Sequence, residues 1–269
     1  MGLIRAKPPQ AGYLHVAGPG DSDLKYITFG LLTLTAGGAW EEAAGGRELL
    51  LVILGGSCDI AVGGSAWREL GQREDVFGGK PTAVYAPPGE TVRVTARNEV
   101  EIAVCGARAE RGSAPAVIAP EDVGVREVGA GPFARTIHDL AISDDAPPTR
   151  LIVGETYNAP GGWSGYPPHR HERHHPPEES KQEELYHFRV NPRQGFGIQR
   201  IYGERFDETF TLQDRDTVTI AEGFHPVVAA PGYTLYYLWM LAGEERVMHP
   251  REDAAHAWVA DSTATRRGT

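Results

Sequence analysis

The chain has 269 residues and 41% hydrophobic content, enough to bury a real core in one large β-barrel or two smaller ones. Its formal net charge of -10 argues against nucleic acid as a partner and mildly against acidic membrane surfaces, while a small anionic substrate remains compatible because local arginines decide that. No apolar run reaches the length of a membrane span.

The opening stretch, Met1-Gly2-Leu3-Ile4-Arg5-Ala6-Lys7, carries no signal-peptide core and no myristoylation pattern, so a soluble cytoplasmic protein is expected. Gly (33) and Pro (20) are both abundant, as short strands joined by tight turns require. In the first half, strand-like runs are expected at 26–34, 48–54, 57–62, 83–86, 91–96 and 100–107. Gly55-Gly56, Gly63-Gly64 and Pro87-Pro88-Gly89 punctuate them. Cys58 and Cys105 lie in or beside apolar runs and form no C-x-x-C pair, so they are expected as buried free thiols. Residues 111–115 and 120–122 look like a linker. Comparable runs follow at 149–157, 184–190, 196–202, 209–212, 217–220, 225–229 and 235–241. Long amphipathic helical patterns are nearly absent. The two halves are alike in outline, a weak internal repeat. The reading is an all-β chain of sandwich or barrel type in two halves, residues 1–115 and 116–269, with a polar tail over 263–269.

Chemistry concentrates in the second half. His169 and His171 follow Pro167-Pro168, which sets an extended entry, and their spacing aims both imidazoles to one side. Glu184, Tyr186 and Phe188 share one strand face, and a carboxylate buried among aromatics needs a cation. His225 follows the Gly223 turn at the head of an apolar strand. Three imidazoles and one carboxylate suit a divalent transition metal: Zn, Mn, Fe, Co or Ni. Glu183, Glu178, Glu179, His174 and His175 compete for ligand roles; Glu184 is preferred for its parity with Tyr186 and Phe188. The first half has no His-x-His, so its barrel is expected without a metal site.

These motifs resemble the cupin superfamily. More closely, Pro167-Pro168-His169-Arg170-His171, Pro177-Glu178-Glu179-Ser180, Glu183-Glu184-Leu185-Tyr186, Gln194-Gly195-Phe196, Gln199-Arg200-Ile201-Tyr202, Gly223-Phe224-His225-Pro226 and Leu235-Tyr236-Tyr237-Leu238 resemble the 5-deoxy-glucuronate isomerases of myo-inositol catabolism. That family is related to the 4-deoxy-L-threo-5-hexosulose-uronate ketol-isomerases. The resemblance implies a bicupin fold. It also implies an aldose–ketose isomerisation of 5-deoxy-glucuronate to 5-dehydro-2-deoxy-gluconate through a metal-stabilised enediolate. The loop between His171 and Glu184 is longer than in most cupins and is a feature of this isomerase family.

A general base must then move the proton, and Glu155, Tyr186 and Glu183 are the candidates. The substrate carboxylate needs a guanidinium; Arg200, beside Gln199, and Arg189 are the candidates. His187 is expected to face outward. Exposed barrel edges would suit a homo-oligomer. Two other readings use the same ligands: a metal-dependent dioxygenase, which would stop without oxygen, and a non-catalytic sugar-binding cupin, which would show no turnover.

Overall fold

The computed structural model describes residues 2–260, and its regular structure is almost entirely antiparallel strands, with a short 3-10 turn at Gly131–Phe133 and a helical stretch at 258–260. The expected tail over 263–269 lies outside the described residues. Two large sheets repeat one strand order. The first runs Ala116–Ile118, Ala83–Ala86, Arg47–Gly55, Val100–Arg108, Ile27–Leu34, Gly12–Ala17. The second runs Gly2–Ile4, Thr217–Ile220, Glu183–Asn191, Thr234–Ala242, Ile152–Asn158, Arg135–Ala141, with Gly124–Val128 added at its far edge. Each is faced by a smaller four-stranded sheet, again in matching order: Ala39–Ala43, Thr91–Ala96, Cys58–Val62, Ser65–Leu70 in one half, and Trp163–Ser164, Val227–Ala229, Gly197–Tyr202, Asp207–Leu212 in the other. The fold is all-β and cupin-like, and the faint sequence repeat corresponds to this doubled topology.

The strand order also shows an exchange. Gly2–Ile4 pairs with Thr217–Ile220 of the second half. Ala116–Ile118 pairs with Ala83–Ala86 of the first. Each edge strand therefore completes the sheet of the other unit, and the expected boundary between residues 115 and 116 is crossed in both directions.

Alternation along the central strands sorts their side chains between two environments. Leu50, Val52 and Leu54 from one large sheet, and Leu185, Leu238 and Met240 from the other, share a single core sandwiched between the two halves. The opposite faces line separate interiors. In the first half that interior is aliphatic: Leu32, Leu49, Leu51, Ile53, Val84 and Val94. In the second it is aromatic and includes Tyr186, Phe188, Tyr237 and Trp239. Cys58 and Cys105 are buried free thiols, and burial pushes the Cys58 thiol up to about 12.

Two buried glutamates clasp the halves reciprocally. Glu48, heading Arg47–Gly55, accepts the backbone N–H groups of Thr149 (2.8 Å), Arg150 (2.7 Å) and Leu151 (2.7 Å). Glu183, heading Glu183–Asn191, accepts those of Lys25 (2.7 Å), Tyr26 (2.7 Å) and Ile27 (2.5 Å). A carboxylate taking several N–H bonds satisfies donors that would otherwise be orphaned where the chains meet. The clasp also aligns the two halves residue by residue. The position after each glutamate points into its own barrel: Leu49 in the first half and Glu184 in the second.

Candidate metal centre

Four side chains converge inside the second barrel. The ring nitrogens of His169, His171 and His225 offer ligand atoms within 4.8 Å of one another. His169 sits on the two-residue strand His169–Arg170, held in place by pairing with Arg251–Glu252. His171 Nδ1 faces the Gln182 carbonyl at 2.9 Å, and His225 Nδ1 faces the Gly223 carbonyl at 2.8 Å. With each Nδ1 proton donated to a carbonyl, each Nε2 presents a lone pair inward. Both Nε2 atoms meet the same oxygen, Glu184 Oε2, at 3.0 Å for His171 and 3.1 Å for His225. The buried His225 Nε2 makes no hydrogen bond among the described residues. Lone pairs aimed at a carboxylate oxygen repel it unless a cation joins them. Ligands on bonds of about 2.1 Å at right angles stand about 3 Å apart, so the observed spacing fits a shared ion.

The electrostatics agree at His169 and Glu184, whereas at His171 burial is outweighed by the Glu184 carboxylate, which raises the ring above its ordinary value. Burial, then the neighbouring imidazoles of His225 and His171, push His169 down to about 3, which keeps its ring neutral. Burial opposes ionisation of Glu184, but the facing rings of His171 and His225 outweigh it and hold the carboxyl at about 2. A neutral imidazole and an ionised carboxylate are the forms that bind metal. The donor set therefore could hold a divalent transition ion.

The ligands open onto a cavity of about 320 Å³. Tyr186, Tyr237 and Trp239 wall it, with Tyr166, Met248 and Pro250 toward its rim. Tyr186 lies edge-on to His225 at 6.0 Å and 4.5 Å from the Tyr237 ring. Burial raises the Tyr186 phenol well above its ordinary value, so it stays protonated beside Glu184. Trp239 lies against Gly154, where an added Cβ would come within 2.3 Å of the indole, and its Nε1 donates to Thr156 Oγ1 at 3.0 Å. A glycine at 154 is what lets that wall close.

Of the residues expected at the site, His169, His171, Glu184, His225 and Tyr186 are brought together, and five others lie elsewhere. Glu155 is on the far face of Ile152–Asn158 from Thr156, pointing between the halves. It takes Arg73 at 2.6 and 3.1 Å, Tyr236 Oη at 2.8 Å, Tyr157 Oη at 3.0 Å and His138 Nδ1 at 3.2 Å. Burial would raise its pKa, but Arg73 and His138 prevail and hold it at about 2, too weakly basic to take a proton from carbon. Glu183 and Arg189 share the inter-barrel face for the same reason of parity. Glu183 belongs to the clasp, and Arg189 pairs with Glu101 of the first half at 2.6 Å. Arg200 is on the outer surface, in a two-point ion pair with Asp207 (2.7 and 2.6 Å) and stacked over Tyr202. Gln199 is buried on the inward side of Gly197–Tyr202 but does not line the cavity. His187 is not outward: it is fully buried against Phe29, with Nδ1 2.9 Å from Thr217 Oγ1.

The Arg73–Glu155 pair joins the halves, so Glu155→Gln is expected to lower thermal stability by about 3 kcal/mol while leaving the metal content unchanged. Because the folded-state pKa lies below its ordinary value of 4.5, the stabilisation is complete above that value and disappears as pH falls toward about 2. Calorimetric melts of both proteins between pH 3 and pH 7 check this: the difference should shrink at the acid end.

Sequence reasoning missed Arg135, which lines the cavity from the first position of Arg135–Ala141. The signal was the alternation itself. Arg135 and Ile137 fall on one face of that strand, and Ile137 is opposite Thr156, so both reach the cavity.

The fold and the side-chain cluster together define a cupin-like protein with a cluster that could hold a metal ion in its second half. Comparison with known proteins narrows this. The KduI/IolB family profile matches residues 3–259. The chain is 37% identical over 264 residues to the 5-deoxy-glucuronate isomerase of Geobacillus thermodenitrificans, covering 97% of this chain and 92% of that one. It is 34% identical over 251 residues to the enzyme of the same name from Bacillus subtilis, covering 92% and 93%. The crystal structure of an IolB-like protein from Salmonella typhimurium superposes with a TM-score of 0.92 at 31% identity, covering 96% and 99%. A Bacillus subtilis oxalate decarboxylase variant matches at a TM-score of 0.63 and 10% identity, covering 93% of this chain and 77% of that one, a likeness of fold alone. The chain belongs to the KduI/IolB family.

Proposed function

We propose that the protein is a metal-dependent aldose–ketose isomerase that converts 5-deoxy-glucuronate to 5-dehydro-2-deoxy-gluconate. The observation that carries the reading is the cluster of His169, His171 and His225, with Glu184 against two of them, at the base of a cavity large enough for a single sugar acid. The names of the relatives supply the substrate. His169, His171, Glu184 and His225 would hold Zn, Mn, Fe, Co or Ni. Bound there, the ion would supply a Lewis acid toward adjacent carbonyl and hydroxyl oxygens.

The remaining work falls to the chain's own groups. The Gln182 and Gly223 carbonyls fix the imidazole tautomers and ring planes. The aromatic walls of Tyr186, Tyr237 and Trp239 would present an apolar surface to the reacting carbons. Tyr186, protonated and beside the cluster, would donate a hydrogen bond to a substrate oxygen that gains charge. The first barrel we read as scaffold. Its interior carries Leu49 where the second carries Glu184, and it contributes Glu48 and Arg73 to the contact between the halves. Residues 1–115 and 116–269 would then be the two units, with edge strands exchanged.

The test is incubation of metal-loaded protein with 5-deoxy-glucuronate in deuterated buffer without oxygen, followed by NMR. Ketose formation with deuterium entering a carbon position is expected. If no divalent ion supports conversion, the isomerase reading is wrong. If turnover appears only when oxygen is admitted, the dioxygenase reading replaces it.

A further inference from the structure

Most buried guanidinium groups of this protein are paired with carboxylates, although the half-buried Arg150 and Arg246 bond to backbone carbonyls away from the cavity. Arg73 holds Glu155, Arg189 holds Glu101, and Arg170 holds Glu172 and Glu179. Even Arg126, at the cavity edge, is committed to Asp139 through two contacts of 2.5 and 2.9 Å. Arg135 combines the lack of a carboxylate partner with a place in the wall of the cavity. Its contacts among the described residues are two long hydrogen bonds from one nitrogen, Nη1, to the carbonyls of Phe133 (3.2 Å) and Tyr166 (3.4 Å). Glu184 and Glu252 line the same cavity, but neither forms an ion pair or hydrogen bond with it. It stands in the cavity wall, within electrostatic reach of His169, Tyr186 and Tyr237.

We propose that Arg135 is the residue that receives the carboxylate of the sugar acid and so fixes both substrate class and orientation. A half-buried charge without a counter-ion is costly, and an arginine cannot escape the cost by losing its proton. The cost is recovered when a carboxylate docks on the two remaining nitrogens of the fork, Nε and Nη2, the two-point geometry for which a guanidinium is suited. The placement also gives the cavity two poles. The ligand cluster takes the carbonyl end of a uronate, and Arg135 takes the acid end, so an acid bound the other way round would face Glu184 with its own negative charge. Backbone anchoring supports the arrangement. The carbonyl of Tyr166 that steadies Nη1 lies just ahead of Pro167-Pro168-His169, so the segment that delivers a ligand also aims the guanidinium. Burial pulls the Arg135 pKa below its ordinary value, in keeping with a cation held apart from water.

This inference rests on the isomerase reading for its substrate but not for its test, because binding alone can decide it. The probes are glucuronate and glucose, which differ by a carboxylate, titrated calorimetrically into metal-loaded and metal-free protein. Wild type should bind glucuronate at least ~100-fold more tightly than glucose. Arg135→Gln and Arg135→Lys should lose ~100-fold and ~10-fold of that preference, with glucose binding and metal content unchanged. Where turnover is measured, the loss should fall on KM for the acid more than on kcat. Arg126→Gln should leave the preference within about threefold. If both Arg135 variants keep the glucuronate preference, or weaken glucose equally, Arg135 is not the anchor. Failure of turnover in wild type with the preference intact would overturn the isomerase reading and leave this one standing.

Discussion

Replacing His171 by alanine should empty the metal centre and lower kcat by at least ~1000-fold, a loss of about 4 kcal/mol of transition-state stabilisation. His171 is tightly built into the fold. It is 4% exposed, its Nδ1 is fixed by Gln182, and its Nε2 shares Glu184 Oε2 with His225. The alanine variant keeps three donors, but one of them, Glu184, loses an imidazole that holds it ionised. Metal affinity should therefore fall by more than the 10–100-fold typical of losing a supporting contact. The backbone hydrogen bond from Gln182 N to the His171 carbonyl does not depend on the side chain, so the loop should stay in place and the circular dichroism should be unchanged. Elemental analysis of the purified variant and single-turnover assays at saturating metal provide the check. An alanine variant that still carries one ion per chain and works within tenfold of wild type would rule out this cluster as the metal centre.

Much of this site was legible in the sequence because strand parity is rigid. Once Glu184, Tyr186 and Phe188 are taken to share a face, the burial of Tyr186 and Phe188 carries the carboxylate inward with them. The same rule explains the errors. In this chain both faces of the central strands are buried, one in the barrel and one against the other half. Parity separates Glu183, Leu185, His187 and Arg189 from Glu184, Tyr186 and Phe188, but does not say that the first set carries structural charge. The carboxylate of Glu155, set among Val153, Gly154 and Thr156, reads as chemistry until its partner is known. That partner, Arg73, is 82 residues away, on a segment with no strand signal. Arg135 was missed for the opposite reason. Its strand is polar and only partly buried, and its importance comes from what it lacks as a partner, which no local pattern records. The exchange of edge strands was likewise invisible, since Gly2–Ile4 and Ala116–Ile118 are too short to announce where they pair.

Glu48→Ala should be the most destabilising substitution remote from the metal centre. The side chain is fully buried and accepts five hydrogen bonds, from the backbone of Thr149, Arg150 and Leu151 and from the hydroxyls of Thr149 (2.9 Å) and Tyr85 (3.1 Å). Deleting it leaves donors that cost 1–3 kcal/mol each when unsatisfied, and water entering the gap relieves only part, so a loss of about 5 kcal/mol is expected. For a chain of this size that should lower Tm by at least ~10 °C. Glu48→Gln retains an acceptor oxygen and should lose about half as much. Glu183→Ala removes the reciprocal contact and should match Glu48→Ala in stability. It should also weaken metal binding, because its backbone neighbour is Glu184, whereas Glu48→Ala should leave metal affinity untouched. Thermal melts of the metal-free variants separate the fold contribution from any linkage to bound ion. A Tm for Glu48→Ala within about 2 °C of wild type would mean that the halves are held by their shared apolar core alone and that the glutamate clasp contributes little.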